Sequence, residues 1–197
     1  MARYTSLSRR LLGKKLTEVM KDIRTPILDI GAGKKTRTYS TNNYPDYVTL
    51  DINPATEPDI VADLTAPLPK EMEARFETVL CNQVLEHVKD FRAFIKNMHL
   101  TLKPGGVCIV SVPFIYKVHY DPVDYWRYTD QSLKELFKEF DQVTIRPYGG
   151  RLSASWLIIA NGKLRILQKL NPLIERLDRE NSSYPLGYVV KAVKKKA

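Results

Sequence analysis

Cysteine and long apolar runs are both scarce in this sequence, and their scarcity limits the class of protein. The only cysteines, Cys81 and Cys108, stand in apolar runs with neither CxxC nor metal-site spacing. We therefore expect buried free thiols in a reducing cytoplasm and no metal site. No apolar stretch is long enough to span a bilayer and no charged-then-apolar leader opens the chain, so we expect a cytoplasmic location.

Two glycines are missing where common phosphate-binding motifs require them. Residues 27–33, ILDIGAG, form an apolar run that leads into a glycine turn. A dinucleotide fingerprint needs a third glycine at the position of Thr36, and a P-loop needs a glycine at the position of Leu28. Both motifs are therefore excluded. Asp29, just before the glycines, instead suits a cofactor with a cationic end, because a carboxylate there would repel a pyrophosphate.

The glycine turn and the next acidic residue have the layout of a nucleoside-binding α/β domain. Asp51 follows Gly31 by twenty positions and stands at the end of a second apolar run, 47–50. Glycines let the backbone pass close to a ligand. A carboxylate on the next strand can accept hydrogen bonds from both ribose hydroxyls.

Four further segments follow in the order found in one family. They are DIVADL at 59–64, VLCNQVLEH at 79–87, LKPGG at 102–106 and the strand 107–113. With the glycine turn, this series resembles the class I S-adenosylmethionine-dependent methyltransferases, of the type 11-like kind with small-molecule-directed and glycan-directed members. The resemblance implies an α/β, Rossmann-like fold. That fold has a mostly parallel seven-stranded sheet, an antiparallel last strand and helices on both faces.

The resemblance also implies S-adenosyl-L-methionine as the cofactor and S-adenosyl-L-homocysteine as the product. The implied cofactor-binding residues are Asp29, Gly31, Ala32, Gly33, Asp51, Ile52, Asp63, Leu64, Asn82 and Gln83. In the family pattern Asp29 orients the cofactor ammonium, Asp51 accepts from the ribose hydroxyls and Asp63 accepts from the adenine amine. The alternative role for each of these carboxylates is a local cap or turn.

A second group of polar and aromatic residues follows the fifth predicted strand, at 113–128. It resembles the H-x-x-P-x-D-x-W-R stretch of small-molecule-directed and sugar-directed methyltransferases. The candidate catalytic residue is His119, a general base that Asp121 or Asp124 would orient. The alternative is that His119 pins the long loop by bonding Asp124 or a backbone carbonyl.

The same stretch holds the candidate substrate-binding residues, which are Tyr116, Tyr125, Trp126 and Arg127. Arg127 would hold a substrate anion or pair with Asp124. Tyr125 and Trp126 would stack on a sugar ring or form the loop's own small core.

The stretch Leu85-Glu86-His87 contains two residues of catalytic type, but we expect it to have a packing role. The family places this stretch at the start of a helix beside the cofactor. Adjacent residues face different directions on a helix, so Glu86 and His87 predict neither proton transfer nor a metal site.

The chain is predicted to be a single methyltransferase domain over 1–197. Its parts are a capping helix at 6–23, a cofactor-binding core at 26–148, a helical insert at 149–184 and a last strand with a basic tail at 185–197. Strands are predicted near 46–51, 59–62, 76–81, 106–112, 142–147 and 187–193, and helices at 89–103 and from 129 or 130 to 140. Short connections leave the sheet thinly covered near strands two and three, where we expect the first helix or a partner subunit.

The insert carries a stripe of apolar residues with basic residues beside it. The stripe is Leu164, Leu167, Leu170, Ile174 and Leu177, and the basic residues are Lys163, Arg165, Lys169 and Arg176. Three alternatives remain open: a lid on the sheet edge, a homodimer contact, or a basic amphipathic surface on anionic membrane that meets a lipid-linked acceptor.

The net charge of +9 favours an anionic partner. We expect methyl transfer to an oxygen, less readily a nitrogen, of a small-molecule or glycan-like acceptor by an enzyme that is cytoplasmic or peripheral to the membrane. The alternatives are an RNA or protein methyltransferase and a non-catalytic nucleoside-binding scaffold. Nucleic acid is less favoured, because the basic stretches carry mostly Leu and Ile rather than aromatics and no Asn-Pro-Pro-Tyr or Asp-Pro-Pro-Tyr follows the fourth strand.

Overall fold

The computed structural model describes residues 6–33, 44–160, 169–181 and 183–196. Within these residues one sheet holds seven strands: β1 Ile27–Ile30, β2 Tyr47–Asp51, β3 Ile60–Val61, β4 Phe76–Asn82, β5 Leu102–Pro113, β6 Gln142–Tyr148 and β7 Gly187–Val193. Five residues used in the sequence argument lie outside the described residues: Thr36, Lys163, Leu164, Arg165 and Leu167.

The strand order is β3-β2-β1-β4-β5-β7-β6. The pairs among β1 to β5 are parallel, and β7 is antiparallel to both of its neighbours, β5 and β6. This topology confirms the predicted fold class, a mostly parallel seven-stranded sheet with an antiparallel last strand.

Both faces of the sheet are covered, because successive side chains of a strand point to opposite faces. In β4, Val79 and Cys81 lie in one apolar cluster, whereas Leu80 between them lies in the other. The same alternation divides Val110 from Ile109 in β5. Nearly uniform apolar character along such central strands is what burial on both faces requires.

The helices are α1 Leu7–Val19, α2 Phe91–Thr101, α3 Asp130–Leu136, α4 Arg151–Ala160 and α5 Asn171–Leu177. Three of them begin at a side-chain cap, since Ser6, Asp90 and Thr129 each accept a hydrogen bond from the backbone N–H three residues on. Of the two caps predicted for α3, the structure therefore uses Thr129. Helices α2 and α3 pack on one face of the sheet, and α1 and α4 pack on the other.

The first helix lies mainly over the middle of the sheet. The prediction that this helix, or a partner subunit, covers part of the region near strands two and three stays a prediction; Tyr47 of β2 packs against the cluster that this helix also joins. Leu12 and Leu16 of α1 cluster with Leu80 of β4, Ile109 of β5 and Val189 of β7. The physical reason is that these central strands offer the larger continuous apolar area for the apolar face of α1.

The segment Lys103-Pro104-Gly105-Gly106 is part of β5 rather than the turn that ends the preceding helix. Helix α2 already ends at Thr101, and Gly105 N–H donates to the carbonyl of Lys194, 3.0 Å away. The N–H of Lys194 donates in return to the carbonyl of Gly106 at 2.8 Å. Antiparallel pairing with the residues after β7 therefore extends β5 beyond the predicted boundary.

The described part of the insert is tied to α1 and to its own turn by buried or half-buried carboxylates. Glu175 of α5 pairs with Lys14 and, at 2.8 Å, with Arg10, both on α1. Asp178 accepts from the N–H groups of Gly150 and Leu152 at the start of α4, at 2.9 and 3.2 Å. A carboxylate at that position satisfies N–H groups that a helix start leaves without partners.

We predict that Leu16→Ala lowers the free energy of unfolding by about 2–5 kcal/mol, because Leu16 is fully buried and its removal leaves a cavity under α1. Urea denaturation measures this loss. Thr17→Ala, an exposed change on the same helix, is the matched control and should stay within about 0.5 kcal/mol of the unchanged protein. Equal losses in the two variants would contradict the packing of α1 on the sheet.

Candidate active site

The glycine turn after β1 passes directly against the turn after β4. Gly31 has φ +69°, and a Cβ built on it would stand 2.4 Å from Cγ2 of Val84. Gln83, just before Val84, also has a positive φ, of 54°. Only glycine fits at position 31, since a side chain there would meet both backbone strain and the neighbouring turn.

A cavity of about 1360 Å³ opens above these turns at the carboxyl ends of the parallel strands. Seven of the predicted cofactor residues line it, namely Gly31, Gly33, Asp51, Ile52, Asp63, Leu64 and Gln83. Two aromatic residues of the loop after β5, Tyr125 and Trp126, contribute to the opposite wall. The structure therefore brings these seven residues together at the edge of the sheet where open α/β sheets bind ligands.

Asp51 is held at the end of β2 by two backbone N–H groups. Oδ1 accepts from Asn53 N–H at 2.9 Å, and Oδ2 accepts from Gly33 N–H at 3.2 Å. These bonds fix the carboxylate in the cavity wall beside Ile52, whose side chain is 65 % exposed. An apolar side chain exposed in a cavity offers a flat surface for a ring.

The next wall segment, Asp63-Leu64, is positioned by a buried amide. Asn97 of α2 donates from Nδ2 to the carbonyls of Leu64 and Ala66, at 2.8 and 2.7 Å. Oδ1 of Asp63 accepts from both the N–H and the hydroxyl of Thr65 at 2.8 Å. These hydrogen bonds fix the shape of the turn. Asp63 therefore has the local turn role that the sequence analysis gave as its alternative, and it also lines the cavity.

The remaining predicted cofactor residues, Asp29, Ala32 and Asn82, line an adjoining cavity of about 610 Å³. Asp29 accepts a hydrogen bond from the hydroxyl of Tyr47 on β2. Ser111 of β5 donates to Oδ1 of Asn82, at 3.3 Å. Since Gly31 and Gln83 line both cavities, the two meet at the glycine turn.

The loop after β5 is held by a buried ion pair. Asp124 accepts two hydrogen bonds from the guanidinium of Arg127, the longer at 2.6 Å, and one from the backbone N–H of His119 at 3.4 Å. The Arg127 hydrogen bonds hold the pKa of Asp124 below its usual range. Arg127 thus pairs with Asp124, and neither contributes to the wall of either cavity.

The aromatic residues of this loop both anchor it and face the larger cavity. Nε1 of Trp126 donates to the carbonyl of Val88 at 3.0 Å, and its ring meets Phe91 edge-on with centroids 5.2 Å apart. The backbone N–H groups of Tyr125 and Trp126 donate to the carbonyl of Glu86. The loop is therefore docked on the segment that follows β4.

Two imidazoles face each other at the wall of the smaller cavity. The rings of His87 and His119 have centroids 4.9 Å apart, and both line this cavity together with Tyr116 and Asp121. Nδ1 of His119 is buried and has no hydrogen-bond partner among the described residues; Oδ2 of Asp124 lies 4.0 Å from it. Of the two predicted orienting residues, Asp124 is therefore the carboxylate beside His119, and it holds the loop through the His119 backbone.

Sequence reasoning missed Glu86 as a residue of the site. Its side chain is buried, it lines the smaller cavity, and burial raises its pKa to about 8. The sequence carried a signal for this role, because Glu86 is flanked by the apolar residues Val84, Leu85 and Val88. A glutamate is rarely buried among such residues without a function or a partner.

Comparison with known proteins assigns the family. A model of the methyltransferase-domain family matches residues 3–146, which is more than half of the chain. The chain belongs to this family. It is an S-adenosylmethionine-dependent methyltransferase. No curated protein sequence matches it.

Solved structures share the fold at low sequence identity. A methyltransferase of Archaeoglobus fulgidus that depends on S-adenosylmethionine is 18 % identical, with 95 % of each chain covered and a TM-score of 0.57. A possible histamine N-methyltransferase of Thermotoga maritima is 16 % identical, with 98 % of this chain and 91 % of that chain covered and a TM-score of 0.62. Phosphoethanolamine N-methyltransferase 2 of Haemonchus contortus, solved with S-adenosyl-L-methionine, is 12 % identical, with 94 % and 52 % covered and a TM-score of 0.60.

The residues of the methyltransferase fit its cofactor. The backbone at Gly33 faces open space, since a Cβ built there would meet nothing within 4 Å. The carboxylates of Asp29 and Asp51 line the two adjoining cavities, where an ammonium and a ribose would lie. When bound, S-adenosyl-L-methionine supplies an electrophilic methyl group on a sulfonium. The protein's part is to hold the acceptor in line with that methyl group and to exclude water.

We predict that Gly31→Ala costs more stability than Gly33→Ala. Both residues have positive φ, so each alanine adds about 1–2 kcal/mol of backbone strain, but only the alanine at 31 also meets Val84. Chemical denaturation and calorimetric titration of S-adenosyl-L-methionine check this. A Val84→Ala background should recover part of the loss at position 31 and none at position 33. Equal losses for both glycines would contradict the close contact of the two turns.

Proposed function

We propose that this methyltransferase transfers the methyl group to an oxygen of a small-molecule or sugar-type acceptor bound in the smaller cavity. The observation that carries the proposal is that His119 lines this cavity and that its buried Nδ1 has no hydrogen-bond partner among the described residues. A cavity of about 610 Å³ suits a small ligand. Asp29 and Asn82, the residues expected at the methionine end of the cofactor, line the same cavity.

In this proposal His119 is the general base. A hydroxyl is a poor nucleophile until its proton is removed, and a neutral imidazole can take that proton near neutral pH. Asp124 stabilises the imidazolium that forms, because it lies 4.0 Å from Nδ1 and stays ionised beside Arg127. Asp121 and Tyr116 line the same cavity and would contact the acceptor.

A nitrogen acceptor, RNA or protein is the less favoured substrate. The segment after β4 is Gln83-Val84 rather than the Pro-Pro-Tyr of amine-methylating enzymes, and Gln83 donates from Nε2 to Ser111 at 3.3 Å. Arg9 of α1 lines the smaller cavity together with His119, Asp121 and Pro122 of the loop after β5. A small acceptor fits this enclosure better than a macromolecule does.

We predict that Asp51→Ala lowers cofactor affinity and that His119→Ala lowers turnover, so that each variant is the control for the other. Asp51→Ala should weaken S-adenosyl-L-methionine binding by about 1–3 kcal/mol, the usual loss of a charged hydrogen bond. His119→Ala should lower turnover about a hundredfold with unchanged cofactor affinity, because only proton removal is lost. Calorimetry gives the affinity, and release of S-adenosyl-L-homocysteine in a screen of hydroxyl and amine compounds gives the turnover. A His119→Ala variant that melts early, with activity tracking the folded fraction, would establish the loop-pinning role instead.

We also propose an anionic membrane surface as a partner, through what we call the α4–α5 surface: Ile158, Ile159, Lys169, Leu173, Arg176 and Leu177. The two segments that carry these residues are adjacent, because Nε1 of Trp156 on α4 donates to Oδ1 of Asn171 on α5, 3.0 Å away. Ile158 and Ile159 are each 69 % exposed. Exposed apolar side chains between basic residues are typical of helices that rest on anionic lipid.

The charges around the α4–α5 surface support a lipid partner. The negative charge of Glu175 is balanced by its ion pairs with Arg10 and Lys14. Lys169 and Arg176 are exposed, and they give the α4–α5 surface positive charge. No described helix is long and apolar enough to cross a membrane, so attachment would be peripheral. A lipid-linked acceptor would then approach along α1, whose Ser8 and Arg9 line the smaller cavity.

We predict that the protein sediments with phosphatidylglycerol vesicles at low salt and is released at high salt, because salt screens charge attraction. Phosphatidylcholine vesicles should retain little protein. The double variant Ile158→Asn, Leu173→Asn should lose binding, whereas Val61→Asn, an equally exposed change on β3, should not. If the protein stays in the supernatant under every condition, the membrane proposal is wrong and the surface belongs to a lid or to a dimer contact. Concentration-dependent dimers that the double variant abolishes would assign the surface to a second copy of the chain.

A further inference from the structure

Two residues that line the smaller cavity each carry a buried polar atom with no hydrogen-bond partner among the described residues. The atoms are Oε2 of Glu86 and Nδ1 of His119. Buried polar atoms are nearly always hydrogen-bonded, so a pair without partners on residues of one cavity indicates a ligand with polar groups for both. His87 lies next to each of them, with its ring 4.9 Å from the His119 ring and its Nε2 3.8 Å from Oε1 of Glu86.

Burial favours the neutral acid form of Glu86, and His87 lies beside it. Nδ1 of His87 lies 2.9 Å from the carbonyl of Val123, which can only accept, so Nδ1 carries the proton. In a neutral imidazole Nε2 then directs a lone pair toward Glu86. An ionised carboxylate would be costly in that position, because the loss of hydration outweighs the support that a backbone hydrogen bond and the charge of Arg127 give it.

Charged and titratable groups interact with Glu86 from β4, through Cys81, and from the loop after β5, through Asp124, Arg127 and Tyr128, and His87 lies beside it. The cavity that Glu86 lines is also lined by Arg9 of α1, Asp29 of β1, and Tyr116, His119 and Asp121 of the loop after β5. Arg127 favours ionisation of Glu86, but its guanidinium bonds Asp124. Burial outweighs Arg127 and raises the pKa of Glu86 to about 8. The burial of Glu86 and the balance of charges around it therefore both favour the neutral acid.

We infer that Glu86 binds the acceptor as a neutral acid, through Oε2, while His119 takes the proton of the reacting hydroxyl. The acceptor of this class is uncharged at the reacting end and carries two neighbouring oxygens, as in a diol. The reacting oxygen bonds to the methyl carbon as the carbon–sulfur bond breaks, the electron pair of that bond stays on sulfur, and the proton passes to the imidazole of His119. The second oxygen bonds Glu86. The inference rests on the proposed function.

The first test needs no acceptor and compares Glu86→Gln with the unchanged protein in urea at several pH values. A folded-state pKa raised from 4.5 to about 8 stabilises the fold fully below pH 4.5, and this stabilisation is lost as pH rises through 8. The unfolding constant of the unchanged protein, relative to that of Glu86→Gln, should therefore rise up to about tenfold per pH unit in this window. A flat or falling ratio would show an ionised Glu86 and overturn the inference.

The second test measures binding to the protein saturated with S-adenosyl-L-homocysteine, by calorimetry at neutral pH. Catechol, with two adjacent hydroxyls, should bind at least about tenfold more tightly than phenol, which has one, since a buried hydrogen bond contributes about that much. Glu86→Gln should keep this preference, because an amide also donates and accepts, and Glu86→Leu should lose it.

Three outcomes of the second test would overturn the inference. They are equal binding of catechol and phenol, a catechol preference that survives in Glu86→Leu, and tighter binding of the cation benzylamine. Failure of all three probes to bind would also count against it. The proposed function would still stand if methyl transfer to a hydroxyl compound were measured without these preferences, so failure of the inference and failure of the proposed function are distinguishable.

Discussion

The hydrogen-bond register of β1 with its two neighbours is the constraint on which the rest of the site depends. Ile30 pairs with Leu50 of β2 on one side and with Cys81 of β4 on the other, all in parallel. The three strands therefore end at the same level, and their next residues, Gly31, Asp51 and Asn82, meet at one edge of the sheet. A shift of one residue in either pair would turn Asp51 or Asn82 to the other face.

The loop after β5 depends on this edge in turn. The loop is ordered by hydrogen bonds to the segment after β4, through the carbonyls of Glu86 and Val88. The Asp124–Arg127 pair fixes the loop internally. Two groups of residues far apart in the sequence thus line the same cavities: the glycine turn, to which our proposal assigns the cofactor, and the loop, to which it assigns the acceptor.

Much of this architecture could be predicted from the sequence, because strong local patterns produced it. The last strand was predicted and observed at Gly187–Val193, since a β-branched run bounded by turn residues allows few alternatives. The position of α1 could not be predicted, because helical periodicity identifies an apolar face but not the strands it will cover. The burial of Glu86 was missed for a similar reason. Its environment is made by Asp124, Arg127 and Tyr128, some forty positions further along the chain.

The position of β7 has a consequence for how the molecule assembles. This strand is the last in the described chain, yet it lies between β5 and β6 and bonds both. Strand β6 therefore has no place in the sheet until β7 arrives, whatever the order in which the earlier strands pair. During synthesis β1 to β5 can associate first, while the edge of β5 stays open. The long separation between β5 and β7 raises the contact order, so closure of the sheet is expected to be slow relative to helix formation.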